Sequence, residues 1–180
     1  HTHTHTGTLV KKQSAKALAN ISVNVDNKVR VTKLGGLAAL LRSLDVKNDA
    51  VRTEVVAALA NLAVNDDNES LIGSGGGLKT IIEIGSKTKS PELLGQISRA
   101  LRNLSVNLMN QKIIREDGGV GLLEKLSKSH IPQIKAQSGR ALQNIGNSSD
   151  DKNTTTTMTT SGGDDGEQKE IDDDSNTAIL

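Results

Sequence analysis

An all-α solenoid is the fold class this sequence predicts, and three observations predict it. One segment recurs four times, reading A-L-A-N-I-S-V-N from Ala17, A-L-A-N-L-A-V-N from Ala58, A-L-R-N-L-S-V-N from Ala100 and A-L-Q-N-I-G-N-S from Ala141. Its first asparagine falls at Asn20, Asn61, Asn103 and Asn144, spacings of 41, 42 and 41. A second marker, two glycines followed by an aliphatic residue, keeps the same period at Gly35-Gly36-Leu37, Gly76-Gly77-Leu78 and Gly118-Gly119-Val120. Two markers sharing one period of about 42 residues are the mark of a repeat architecture. The third observation is an absence: the 180 residues contain no Phe, Trp or Tyr. A thin layer filled by interdigitating Leu, Ile, Val and Ala from neighbouring repeats has no deep centre for a ring to occupy.

Each period divides into three helices of about 42 residues in all. The run from Val51 to Val64 sets Val51, Val55, Leu59 and Leu62 at helical spacing, with Val56 and Ala58 widening the stripe, and predicts a long helix of about four turns. A second helix follows each glycine pair, as in Leu37, Leu40, Leu41 and Leu44, or Val120, Leu123 and Leu126. A short helix precedes the pair, with Asn27, Asn68 and Asn110 as its expected N-caps. The glycine pair itself predicts a sharp turn with φ > 0. In chain order this gives a low-complexity opening at 1–8 without fixed structure, the last helix of a repeat at 9–26, and whole repeats at 27–65, 68–107 and 110–147. Residues 148–180, rich in Thr, Ser, Asn, Gly and Asp, are expected to form a disordered tail, because they hold too few apolar groups to offset ordering entropy.

With N-x-x-N, Gly-Gly-aliphatic and A-L-x-N-L in register, residues 9–147 resemble the armadillo repeat family, which implies a right-handed superhelix whose long helices line a concave groove. On that face the residues seven and four before each signature Asn join it: Gln13, Lys16 and Asn20; Glu54, Ala57 and Asn61; Gln96, Arg99 and Asn103; Gln137, Arg140 and Asn144. An asparagine amide suits the backbone of an extended peptide, so the expected groove comprises Asn20, Asn61, Gln96, Arg99, Arg102, Asn103, Gln137, Arg140 and Asn144. The same asparagines could instead satisfy main-chain groups of the adjacent repeat. Importin-like members carry Trp four residues before the Asn. Lys16, Ala57, Arg99 and Arg140 stand there instead, so the resemblance is to catenin-like and vacuolar-armadillo-like members. Arg99, Arg102, Arg140 and Lys135 make the C-terminal part of the groove basic and suited to carboxylates, whereas Lys28, Lys33 and Lys47 read as solvated.

Charge divides the chain: residues 1–149 carry a net +8 and residues 150–180 a net −7. The tail could therefore fold over the basic groove as a tethered competitor. Catalytic and metal constellations are missing from the pattern. There is no cysteine, His1, His3 and His5 alternate with Thr in the opening segment, and His130 lies in a turn. The glycine-rich run Gly73 to Thr80 fails as a phosphate loop because Leu78 precedes Lys79 and no strand leads into it. We therefore expect no catalytic residues, no metal, no cofactor and no small-molecule substrate. The expected partner is an extended acidic protein segment, and without stacking aromatics nucleic acid is disfavoured. No apolar run is long enough to span a membrane, which with the missing cysteines sets the expectation at cytoplasmic, the nucleus being open. The competing expectation is a structural or regulatory segment of a larger cytoskeletal or small-GTPase-regulating protein. Because the helix after residue 9 lacks two companions, the chain is expected to be a fragment, with repeats preceding it and marginal stability or self-association alone.

Overall fold

The computed structural model describes residues 2–150, and the side chains of 6–146. Ten helices follow one another in these residues: α1 Thr2–Ile21, α2 Val25–Lys33, α3 Gly36–Ser43, α4 Asp49–Leu62, α5 Asp66–Ser74, α6 Gly77–Lys87, α7 Pro91–Leu104, α8 Leu108–Glu116, α9 Gly119–Ser127 and α10 Pro132–Asp150. They repeat as short, middle and long. The long helices α1, α4, α7 and α10 stack side by side as one layer, and each middle helix lies on the long helix of its own repeat. Among the described residues, no helix is long and apolar enough to cross a membrane.

The core is aliphatic throughout. Val51, Val55, Leu59 and Leu62 of α4 are fully buried, as are Leu93, Ile97, Leu101 and Leu104 of α7. Ile72, Ile81 and Ile82 fill the space between the short and middle helices and the long layer. A stripe at i, i+4, i+8 and i+11 buried in this way turns periodicity into stability, since each Leu or Ile removed from water contributes about 1.5–3 kcal/mol.

The two glycines of each pair have different jobs. The first, Gly35, Gly76 or Gly118, takes φ of 81°, 76° or 80° respectively, the left-handed region that side-chain-bearing residues avoid. The second lets the middle helix start against the short one. A Cβ on Gly36 would stand 2.9 Å from the Val31 carbonyl oxygen, and one on Gly119 would stand 2.9 Å from that of Ile114.

Several expectations change. The short helices are capped three residues earlier than expected, by Asn24, Asn65 and Asn107, the last residue of each recurring segment. The Asn24 side chain accepts from the backbone N–H of Asp26 and Asn27 at 2.9 and 3.2 Å, and Asn107 accepts from Met109 and Asn110 at 2.9 and 3.1 Å. Asn68 and Asn110 lie inside the helices, buried, and bond to the neighbouring repeat. The opening segment 1–8, expected to lack structure, is helical from Thr2. It holds no proline, and extending a formed helix costs far less than nucleating one. Lys28, read as solvated, is buried, because its Nζ donates to the Val23 carbonyl at 2.9 Å. Of the expected tail, residues 148–150 belong to α10, and 151–180 lie outside the described residues. Gly73 sits in α5, where its missing side chain admits the Asn110 amide.

Candidate functional site

The signature asparagines close the helix ends of the repeat before them. The last carbonyls of an α-helix have no intrahelical partner, and each long helix ends with one exposed to the next layer. Asn61 Nδ2 donates to the Ala19 carbonyl at 2.7 Å, across 42 residues. Asn103 Nδ2 donates to that of Ala60 at 2.8 Å, across 43. Asn144 Nδ2 reaches the Arg102 carbonyl at 3.4 Å and Ser105 Oγ at 2.9 Å. The structural role weighed at the outset is therefore real: each amide is a staple between layers. It spends one N–H of Asn61 and one of Asn103, whereas Asn144 Nδ2 has two acceptors. No described donor reaches Oδ1 of Asn61 or Asn103, so the acceptor and the second N–H recur at repeat spacing. All three residues are half-buried, and Asn20, with no described layer before it, is exposed.

The cations of the strip are tied in different ways. Arg99 donates from Nη2 to the Ala57 carbonyl at 3.1 Å, one repeat back. Burial pulls its guanidinium below the usual range, and its Nε is shut from water without a partner. Beside it the Oε1 of Gln96 is likewise buried and unpaired. Arg102 donates from Nη1 to Gln137 Oε1 at 3.4 Å, one repeat forward. Arg140 is exposed, as are Lys16 and Lys135. The structure thus brings Gln96, Arg99, Arg102, Asn103, Gln137, Arg140 and Asn144 together on α7 and α10, with Asn61 one layer away and Asn20 at the end. At the opposite rim, where the long helices begin, Lys12, Thr53, Glu54, Ser90 and Glu92 line an open cleft of about 300 Å³. The Glu92 carboxyl there is held below its ordinary value by its own backbone N–H and by Ser90 Oγ, 3.0 Å from Oε2.

Sequence reasoning missed a second ladder on the short helices. Asn68 Nδ2 donates to the Lys28 carbonyl at 3.4 Å and Asn110 Nδ2 to that of Glu69 at 3.2 Å, again about one repeat back. Gln111 Nε2 reaches the carbonyls of Ser105 and Asn144 at 2.9 and 3.2 Å, and Arg115 Nη2 that of Ile145 at 2.6 Å. The N-x-x-N spacing held the signal: the first asparagine caps and, at 68 and 110, the second staples.

Comparison with known proteins bears on the fold. The model described as Armadillo/beta-catenin-like repeat matches residues 24–64. Among solved structures, a designed armadillo repeat protein superposes with a TM-score of 0.71 at 26% identity, over 76% of this chain and 58% of its own. The chain has the armadillo-repeat fold. An engineered protein superposes on it with a TM-score of 0.72 at 28% identity, covering 77% of the armadillo chain and 58% of its own. Another designed armadillo repeat protein, solved in complex with peptide (KR)4, gives a TM-score of 0.67 at 25% identity, over 74% and 57% of the two chains. The armadillo chain thus spans less than two thirds of the length of these structures. No curated protein matches it. Among the described residues, no group of three or more His, Asp or Glu is placed to hold a metal ion.

Proposed function

We propose that the long-helix layer binds an extended, acidic segment of another protein, without catalysis. The observation that supports this best is the half-spent amide ladder. Asn61 and Asn103 are each held by one N–H to the layer behind, which fixes the rest of each amide at repeat spacing, as an extended backbone with its own regular donors and acceptors requires. The sign of the charge supports the finer part. Arg99, Arg102 and Arg140, with Lys16 further along, put positive charge on the strip, and Glu54 is its carboxylate on α4. A designed relative is described in complex with the basic peptide (KR)4. The strip in this chain carries the same positive sign as that peptide at its C-terminal half, so its complement is a carboxylate-bearing peptide. The positions that would hold Trp in importin-like members are Lys16, Ala57, Arg99 and Arg140, which favours the catenin-like side of the family and a cytoplasmic or nuclear setting.

The test uses fluorescein-labelled peptides of alternating Asp and Glu, of alternating Lys and Arg, and of neutral residues, read by anisotropy. The acidic peptide is expected to bind best and to weaken between low and physiological salt, as screening requires. Arg140→Glu is the informative variant because Arg140 is exposed and holds nothing in place. It should cost about tenfold in affinity, roughly 1.4 kcal/mol, with an unchanged circular dichroism spectrum. Preference for the basic peptide, or indifference to the reversal, would overturn the reading.

A further inference from the structure

Where α2 and α3 meet α5, between the first and second whole repeats, lies an open cleft of about 370 Å³. Thr32 lines it from α2, Leu37, Ala38 and Leu41 from α3, and Leu71, Ser74 and Gly75 from α5 and its end. One period on, Ala38 and Gly75 are replaced by Lys79 and Asp117. There Lys79 Nζ stands 3.0 Å from Asp117 Oδ1, a clasp from α6 to the end of α8. A methyl and a hydrogen cannot reach across in the same way, so the first interface stays open. Its opening comes from the residues at 38 and 75 and not from a missing neighbour, since each helix that borders it, α2, α3 and α5, has its counterpart, α5, α6 and α8, beside the clasp.

The lining has a definite chemistry. None of its residues is charged, and Ser74 stands where the next repeat has Glu116. Two other clefts of similar size carry Lys112 and Glu116, or Lys12, Glu54 and Glu92. Burying a charge without a partner is costly, so an uncharged apolar lining selects a neutral occupant. It also holds an unspent polar group: Thr32 Oγ1 is shut from water and bonds to nothing. A helical Thr has two usable χ1 wells, and exchanging this oxygen with the methyl breaks no bond while offering the hydroxyl to a ligand. Apolar walls with a few polar groups that fix orientation are what small-molecule sites share. Size sets the rest. An apolar cavity of about 150 Å³ takes one benzene, so this cleft has room for two fused rings.

We propose that the cleft between α3 and α5 binds a small neutral molecule built on two fused rings with one hydrogen-bonding atom. The 180 residues contain no Phe, Trp or Tyr, so no segment of them supplies such a group. The site is separate from the long-helix strip, none of whose residues borders it.

The probe is quinoline, a neutral bicycle with one ring-nitrogen acceptor, titrated into the full 180-residue chain with isotope-labelled Leu and Ile methyl groups. Saturable shifts are expected at Leu37, Leu41 and Leu71. Ile82 and Ile113, which take the places of Leu41 and Leu71 beside the clasp, should not move. Ala38→Lys, at an exposed site, should lay its stem over the cleft and abolish the shifts without changing the melt of the free chain. Thr32→Val keeps the shape and should weaken quinoline severalfold, with a melting temperature no lower than before, because the lost hydroxyl had no partner. Naphthoate, similar in ring size but anionic, should bind about tenfold more weakly. Shifts that never saturate, or that spread equally to Ile82 and Ile113, would overturn the proposal. So would undiminished binding to either variant, or naphthoate binding as well as quinoline. Arg140→Glu, which tests the groove, should leave the titration unchanged.

Discussion

Glu69 occupies the position at which the flanking repeats place Lys28 and Gln111, and the three side chains solve one problem with different success. Lys28 donates to the Val23 carbonyl and Gln111 to that of Ser105, each at 2.9 Å, in the turn behind its long helix. An ionised Glu69 has nothing to donate. It is 6% exposed, and its Oε1 has no partner. Burial pushes its pKa above the ordinary carboxylate value; the backbone N–H of Asn107 pulls it partly back, and the charge of Asp66 pushes it further up. With its pKa raised in the folded state, Glu69 makes the folded chain bind more protons than the unfolded one between the two values. Its destabilising effect is therefore full above the folded pKa and disappears as pH falls through that value toward the unfolded one. Glu69→Gln should stabilise the chain at pH 7.5 by about 1–3 kcal/mol, the cost of an unsatisfied buried group, with the gain shrinking toward pH 5. Urea melts of both proteins at the two pH values decide it, and a destabilised glutamine variant at neutral pH would refute it. The Lys, Glu, Gln series was visible at the repeat spacing, but its burial was not. Short-helix positions look polar whether their heads face water or the carbonyls of a neighbouring turn.

Helix ends were the least readable part of each element, for a physical reason. N-x-x-N offers two asparagines three apart, and either could cap. The cap goes to Asn24, Asn65 and Asn107 because the second asparagine of each pair at 68 and 110 falls on the inner face of its helix, where a carbonyl one repeat back awaits a donor. Local preference and interlayer satisfaction compete, and periodicity alone does not rank them. Glycine turns were plainer, since a pair of glycines between two apolar stripes has few other uses. They also permit a sharp comparison. Gly118 sits at φ 80° with nothing within 4 Å of an added Cβ, and Gly121, inside α9, has the same open space with ordinary helical backbone. Gly118→Ala should cost about 1–2 kcal/mol, from the left-handed backbone alone. Gly121→Ala should gain about 0.4–1 kcal/mol, by restricting the unfolded chain. Thermal melts of the two variants isolate backbone conformation from packing. Equal effects would show that neither turn nor helix geometry is as described.

Across the molecule, stability is a chain of nearest-neighbour terms, because each layer touches only the layers beside it. That follows from the period, and it is why so much of the architecture could be read early: three helices per repeat, an aliphatic interior and the order of the layers are consequences of one recurring pattern. The unreadable remainder lies at the ends of the described residues, where the pattern meets no described neighbour. In α1, only Ala15 and Ala19 are buried among the described side chains, whereas α4 and α7 bury most of their apolar residues completely. The long helices α4 and α7 are also flanked on both sides by others of their kind. Opening α1 therefore exposes little new apolar surface, while opening α4 or α7 exposes the centre of the core. Local unfolding should begin at α1 and reach α4 and α7 last. Hydrogen exchange followed by mass spectrometry is expected to show early exchange through residues 2–21, intermediate protection in α2 and α3, and slowest exchange between Asp49 and Leu104. Val10→Asp, placed on a face already open to water, should leave that order intact, whereas Leu59→Ala, at a fully buried site, should cost about 2–5 kcal/mol and raise exchange across α4 and both its neighbours. Uniform exchange along all ten helices would mean that the layers unfold as one cooperative unit, and the nearest-neighbour account would then be wrong.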